Sequence, residues 1–157
     1  MPQTSFEQDI FISTSPEKVK NFLTTLSNHR QIHPLIVNIQ HTATTTATDG
    51  SEVNHYKIRD RMKQGPLMFS FTYDVEMSIN AQGEIVFDAH QSPGIHLHNI
   101  TRCHPEGAGT RVIERVEITA PSLLIKTVYK QGLASHQEMF VNLKKLLEEK
   151  TTSSSCA

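Results

Sequence analysis

The sequence is poor in cysteine, has no long apolar run and carries no charge excess, and each absence closes off a class of protein. Cys103 and Cys156 are the only two thiols in 157 residues, and Cys156 lies in the polar C-terminal stretch. Two cysteines so placed do not make a disulfide framework, and a reducing cytoplasm is the expected compartment. No apolar stretch approaches the roughly 20 residues that cross a bilayer, so stable membrane insertion is not expected. The N-terminus lacks the basic-then-apolar pattern of a secretory signal. Fifteen basic and 16 acidic residues leave a formal charge of −1. No basic stripe gathers on any segment, which argues against a nucleic-acid partner. The chain has no Gly-x-Ser-x-Gly and no internal repeat. Gly107-Ala108-Gly109 precedes a strand pattern rather than a helix, so it reads as a hairpin turn and not a phosphate cradle. No cofactor is expected.

What is present is enough for one folded unit. With 37% hydrophobic residues, a chain of this length buries about two-thirds of its unfolded surface without staples. Residues 1–150 are expected to form a single domain, and the Ser/Thr-rich segment 151–157 to be a frayed, disordered tail. Phe6, Ile10 and Ile12 share one alternating phase and predict a first strand. Thr14-Ser15-Pro16-Glu17 supplies capping oxygens, a proline for the first helical position and an acid for the first turn. Val19, Phe22, Leu23 and Leu26 keep helical spacing behind it. A second short helix is expected over 28–34, ended by Pro34. From Leu35 to Thr119 the period changes to two. Turn chemistry at Asp49-Gly50, Gly65-Pro66, Gln82-Gly83, Pro93-Gly94 and 105–109 divides the stretch into strands near 36–47, 52–63, 67–80, 84–90, 95–103 and 110–119. Short turns between consecutive strands make an antiparallel meander.

The last segment, Pro121 to about Lys150, predicts a helix about 40 Å long. Ile125, Val128, Gly132, His136, Phe140, Leu143 and Leu147 form its buried stripe, with Lys126, Lys130, Gln137, Lys144 and Glu148 on the solvated flank. Gly132 removes a side chain from the middle of that stripe, and His136 makes it polar one turn later. A packed face hollowed at its centre predicts a cavity beneath the helix.

Ser15-Pro16-Glu17-Lys18-Val19, Ile32-His33-Pro34-Leu35, Gly107-Ala108-Gly109-Thr110-Arg111-Val112 and the closing helix give the chain a recognisable order. It resembles the START-like (SRPBCC) superfamily, which includes Bet v 1-type, polyketide cyclase-like and coenzyme Q-binding proteins. The resemblance covers essentially the whole chain and rests on element order rather than on one specific motif. It implies an α+β helix-grip fold: a curved antiparallel sheet of about seven strands round a long C-terminal helix, with two short helices after the first strand. It also implies a small hydrophobic molecule as partner, held between sheet and helix.

Alternation selects the inward residues. In 67–80 the apolar phase holds Phe69, Phe71, Tyr73 and Met77. In 52–63 the phase of Tyr56, Ile58 and Met62 carries Asp60 inward. In 110–119 the phase of Val116 carries Glu114, and in 95–103 the phase of Leu97 brings Asn99. With Gly132, His136 and Phe140 from the helix, these are the expected ligand-binding residues. For the two carboxylates three readings stay open: bulges that turn them to water at a rim, ion pairs with Arg102 or Arg111, or polar groups that orient an apolar ligand.

Metal and nucleophile patterns are weaker. His96 and His98 share a strand face, and His29 and His33 could share a helical one, but no third ligand stands at a motif spacing, so no metal is expected. Cys103 has only His104 beside it, on the opposite face. Arg59, Arg61 and Lys63 read as a solvated strand face. Two main functions follow. One is a carrier or sensor of a small hydrophobic molecule, using an adaptable aromatic and Met-rich lining. The other is an enzyme of polyketide cyclase type, for which His136, Asp60 and Glu114 are the only inward acid-base candidates. A lipid- or quinone-binding helper would be marked by an exposed apolar loop at Gly65-Pro66-Leu67-Met68-Phe69. The strand edges leave both a monomer and a homodimer open.

Overall fold

Strand β1 (Gln3–Ile12) points Phe6, Gln8, Ile10 and Ile12 to one side, and the computed structural model, which describes residues 1–155, pairs it with the last strand of the chain. Helix α1 (Pro16–Thr24) starts as its sequence dictates. The Ser15 hydroxyl oxygen accepts the Lys18 N–H at 3.3 Å, Pro16 stands at the first position, and Val19, Phe22 and Leu23 are buried. The second short helix is a 3₁₀ turn, Leu26–Gln31, which starts two residues earlier than expected. It stops well before Pro34, as the restriction on the residue preceding a proline requires.

Six strands follow: β2 (Ile36–Thr46), β3 (Glu52–Gln64), β4 (Leu67–Ile79), β5 (Ile85–Gln91), β6 (Ile95–Glu106) and β7 (Gly109–Thr119). All pair antiparallel in the order β1-β7-β6-β5-β4-β3-β2. The register irregularities fall in β2, between Ile36 and Asn38 and between His41 and Ala43. The β3–β4 and β6–β7 registers run without a shift, so Asp60 and Glu114 keep the inward phase. A glycine is required where β7 meets β1: a Cβ on Gly109 would collide with the Ile12 carbonyl and sit 2.7 Å from the Phe11 ring.

After a turn in which the Pro121 carbonyl accepts the N–H groups of Leu124 and Ile125, helix α2 (Ile125–Ser155) crosses the sheet. Its backbone is helical through Ser155, beyond the start of the expected frayed tail. Each added residue gains a helical hydrogen bond, and no proline interrupts it. Cys156 and Ala157 lie outside the described residues. The flank of α2 is also tied down: the Lys144 ammonium donates to the Phe11 carbonyl at 2.6 Å and to Glu148 at 2.9 Å. Glu148 in turn accepts the Ser13 N–H at 3.0 Å.

Among the described residues, packing divides into three apolar clusters. Met139, Phe140, Leu143 and Leu147, from the middle and second half of α2, bury against Ile12, α1, Met77, Ile85 and Val112. Its first half, Ile125, Val128 and Leu133, is only half-buried, against Phe6, Ile95, Val116 and Ile118. Leu26, Ile36, Ile58 and Val75 make the third cluster at the β2–β4 side. Room is left where the three meet, under the hollow that Gly132 makes in α2. A methyl group at Gly132 would meet only the Phe6 ring at 3.7 Å and Ile118 at 4.0 Å, ordinary contact distances. Gly132→Ala is therefore expected to stabilise the fold by about 1 kcal/mol through helix propensity. Chemical denaturation checks this, and a loss of stability would show that the hollow is needed for folding.

Candidate functional site

A cavity of about 560 Å³ occupies that space, lined by α2, the 3₁₀ turn and the inner faces of β2 to β7. Exposed lining residues Phe69, Ser92, Pro93 and Thr127 frame its mouth. Leu67 and Met68 project from the β3–β4 hairpin tip and Leu123 from the turn before α2, all largely exposed.

Of the residues expected to bind a ligand, Ile58, Asp60, Met62, Phe69, Phe71, Tyr73, Leu97, Asn99, Glu114, Val116, Gly132, His136 and Phe140 stand around this cavity. Tyr56 and Met77 are corrections. Both keep the inward phase but lie further along their strands, where Val75 and Asn54 are their cross-strand partners and the C-terminal half of α2 closes onto the sheet. Met77 is core there, and Tyr56 packs against the His41 ring at 5.1 Å. Strand phase gives the face; it does not give the height at which the helix descends.

At the centre sits a buried polar network. Glu114, 1% exposed, receives Asn99 Nδ2 at 2.7 Å, Gln8 Nε2 at 2.9 Å and His136 Nδ1 at 2.9 Å. Thr101 donates to Asn99 Oδ1 at 2.8 Å, and Gln8 Nε2 also reaches the His136 carbonyl at 3.0 Å. Neither arginine considered as a partner takes part. Arg102 pairs with Glu84, and Arg111 with Asp9 and Glu106, on the outer face. Gln8 could have been found from the sequence, since it shares the phase of Phe6 and Ile10.

Burial opposes charge on both members of the pair, but their mutual attraction outweighs it: His136 titrates above its usual value and Glu114 below. Their mutual attraction favours the imidazolium–carboxylate form of the pair. Nδ1 is committed to Glu114, so Nε2 is the edge left for a ligand, and 15% of the side chain is exposed.

Two further histidines approach from the 3₁₀ turn and just beyond it, where sequence spacing had offered them only as a metal pair. His33 stands edge-on to the His136 ring at 5.7 Å, and its Nδ1 accepts the Leu35 N–H. Burial, then the charge of His136, pushes its pKa to about 3, so it is neutral. His29 is buried with Nε2 2.8 Å from the Leu23 carbonyl, which requires the Nε2–H tautomer, and burial lowers its pKa as well. The two rings point at different partners and form no metal cluster.

Asp60 is the second inward carboxylate. The Tyr73 hydroxyl donates to it at 2.9 Å, yet burial pushes its pKa up to about 6. The signs for pH follow. A raised acid binds more protons when folded, so Asp60 erodes stability as pH rises from 3.8 towards 6. A depressed base does the reverse: His33 erodes stability as pH falls from 6.5 towards 3. Asp60→Asn keeps an acceptor for Tyr73 and is expected to stabilise the protein at pH 7 by about 2 kcal/mol, with no gain below about pH 4. Urea midpoints across that range test it. An Asn variant no more stable at pH 7 would show that Asp60 is not strained by burial.

Burial raises the Cys103 thiol pKa to about 11, so it is held as the thiol rather than the nucleophilic thiolate at neutral pH.

No protein-family model and no curated protein matches the chain. Solved structures do. A START superfamily protein from Mycobacterium smegmatis aligns with a TM-score of 0.69 at 15% identity, covering 92% of this chain and 97% of its own. The di-domain ARO/CYC protein StfQ of the steffimycin biosynthetic pathway aligns with a TM-score of 0.72 at 12% identity, over 96% of this chain and 52% of its own. The chain thus spans about half of that protein. Ara h 8.0201 aligns with a TM-score of 0.63 at 10% identity, over 93% and 98% of the two chains. The chain has the START-like helix-grip fold. At these identities the START-like likeness extends to the fold, and the chemistry has to be argued from the side chains. No described helix is long and apolar enough to cross a membrane.

Proposed function

We propose that this START-like chain binds a small, mostly apolar molecule in the cavity between sheet and helix, with a polar end turned towards His136. The observation that carries the reading is the placement of the hydrogen-bonded His136–Glu114 pair in the wall of a largely apolar cavity of about 560 Å³. That volume is in the range of sites for drug-sized ligands, which combine an apolar lining with a few placed polar groups. Asp60 supports it: a carboxylate held against its burial cost is a feature that folding alone does not select. The experiment is native mass spectrometry of the purified protein, then solvent extraction and identification of anything released. Apolar cargo with one oxygen-bearing end is expected. A protein that stays empty and shows no mass shift with fatty acids, quinones or aromatic polyketides would overturn the reading.

A second reading is favoured by the unequal protonation of the inward groups. The imidazolium form of His136, which Glu114 favours, can donate a proton from Nε2, while Asp60, with a pKa of about 6, is largely ionised at pH 7 and can accept one. Such a pair fits aldol cyclisation with dehydration, where one group removes a C–H proton and the other protonates the departing hydroxyl. A carrier returns its ligand unchanged; an enzyme of this kind returns a product lighter by one water. Product analysis after incubation separates the two.

A further inference from the structure

The outer face of the sheet carries a cluster that the cavity does not use. Asp88 on β5 and His96 and His98 on β6 all point away from α2, because Phe87, Ala89, Leu97 and Asn99 hold the inward phase. The β5–β6 register places Asp88 directly opposite His98 and His90 opposite His96. One oxygen, Asp88 Oδ1, lies 2.9 Å from His96 Nε2 and 2.7 Å from His98 Nδ1. The three ligating atoms are within 4.8 Å of one another. The His90 ring stacks on His96 at 4.4 Å between centroids and 5° between planes, which fixes the orientation of the His96 ring.

We propose that Asp88, His96 and His98 form a binding site for a divalent transition cation of the zinc class. Zinc takes imidazole nitrogen and carboxylate oxygen at about 2.0–2.2 Å in a tetrahedron, which sets its ligands about 3.3 Å apart. Asp88 Oδ1 has to retreat by roughly 0.5 Å from each ring to reach that spacing. These side chains are a quarter to two-fifths exposed, so the movement needs no backbone change. Both rings direct to Asp88 the nitrogen that would hold the metal; the cation takes that place while each ring, bound as neutral imidazole, carries its one proton on the other nitrogen and any second proton leaves to water. Neither spacing nor motif shows this in the sequence, because the third ligand comes from the neighbouring strand. Glu117 on β7 stands opposite His98 and Glu76 on β4 opposite Asp88, while Arg115 is turned to Glu117 and Glu7. Three protein ligands leave a fourth position for water. A bound ion would clip β5 to β6 on the wall that backs the cavity.

Calorimetric titration of the full chain with zinc chloride tests the site, with thermal unfolding and cobalt(II) absorption alongside. One equivalent should bind, the unfolding temperature should rise, and the cobalt spectrum should be four-coordinate without a thiolate charge-transfer band. Asp88→Asn should weaken binding at least tenfold and His98→Ala about a hundredfold, whereas His41→Ala should leave it unchanged. Imidazole nitrogen NMR of the unaltered protein guards against misfolded variants: His96 Nε2 and His98 Nδ1 should shift on zinc addition. Absence of heat and of any thermal shift at millimolar zinc, binding equal in all variants, a thiolate band, or unmoved His96 and His98 nitrogens would each overturn the proposal and leave the triad a plain hydrogen-bonded ion pair. The cavity reading stands or falls independently.

Discussion

His136→Ala is expected to cost about 3 kcal/mol at pH 7, the low end for a broken buried ion pair. Glu114 would stay buried with only neutral donors, Asn99 and Gln8, to hold its charge. For a chain of this size that loss lowers the unfolding temperature by roughly 6–12 °C. The companion double variant, His136→Ala with Glu114→Gln, removes the stranded charge; its single amide oxygen keeps the bond from Asn99 or from Gln8, and its NH2 faces the other donor. It should be more stable than the single variant, by about 1 kcal/mol, because an unmatched amide costs less than a stranded charge, although two residues rather than one have changed. The pH dependence gives a further check. His136 is raised, so its contribution is complete below 6.5 and fades as pH climbs through the raised value. Glu114 is lowered, so its contribution is complete above 4.5 and fades as pH falls. The deficit of His136→Ala should therefore shrink on acidification, as the unpaired carboxyl takes up a proton. A single variant as stable as the parent, or a double variant worse than the single, would show that the pair holds no charge.

Ala89→Phe is expected to lower ligand affinity by about a hundredfold, near 2.7 kcal/mol, with stability changed by less than about 1 kcal/mol. Ala89 lines the cavity from β5, a central strand, and packs at its base beside Leu26, Ile36, Ile58 and Val75, so a ring built there extends from that packing into the free space. Extraction of co-purified cargo and titration with the identified ligand measure the effect. A variant that keeps its cargo would mean that binding takes place elsewhere. If the second, catalytic reading holds, turnover should vanish with the cargo, because the substrate can no longer reach His136.

Much of this arrangement could be read from spacing. The phase of Leu67 to Ile79 placed Phe69, Phe71 and Tyr73 against the helix, and the carboxylates followed from the apolar neighbours that flank them two residues away. The hollow in α2 was visible as Gly132 and His136 on an otherwise apolar stripe. Other parts were not legible. Tyr56 and Met77 obey the same alternation as Tyr73 yet miss the cavity, since period two says nothing about where along a strand the helix touches down. His33 looked like a weak metal ligand beside a proline; it is a neutral ring against a charged one because the 3₁₀ turn folds it over the cavity. The partners of Gln8 and Asp88 were not legible either, since they come from 106 and about ten residues off on neighbouring strands.

By itself the sequence determined the elements, their order and the face each residue takes, because periodicity, caps and turn residues act over a few neighbouring positions. The tertiary structure alone decided which charges meet: His136 with Glu114 instead of either arginine, and Asp88 between His96 and His98. Pairing of that kind depends on strand register and helix height, and those are set by how the whole core packs.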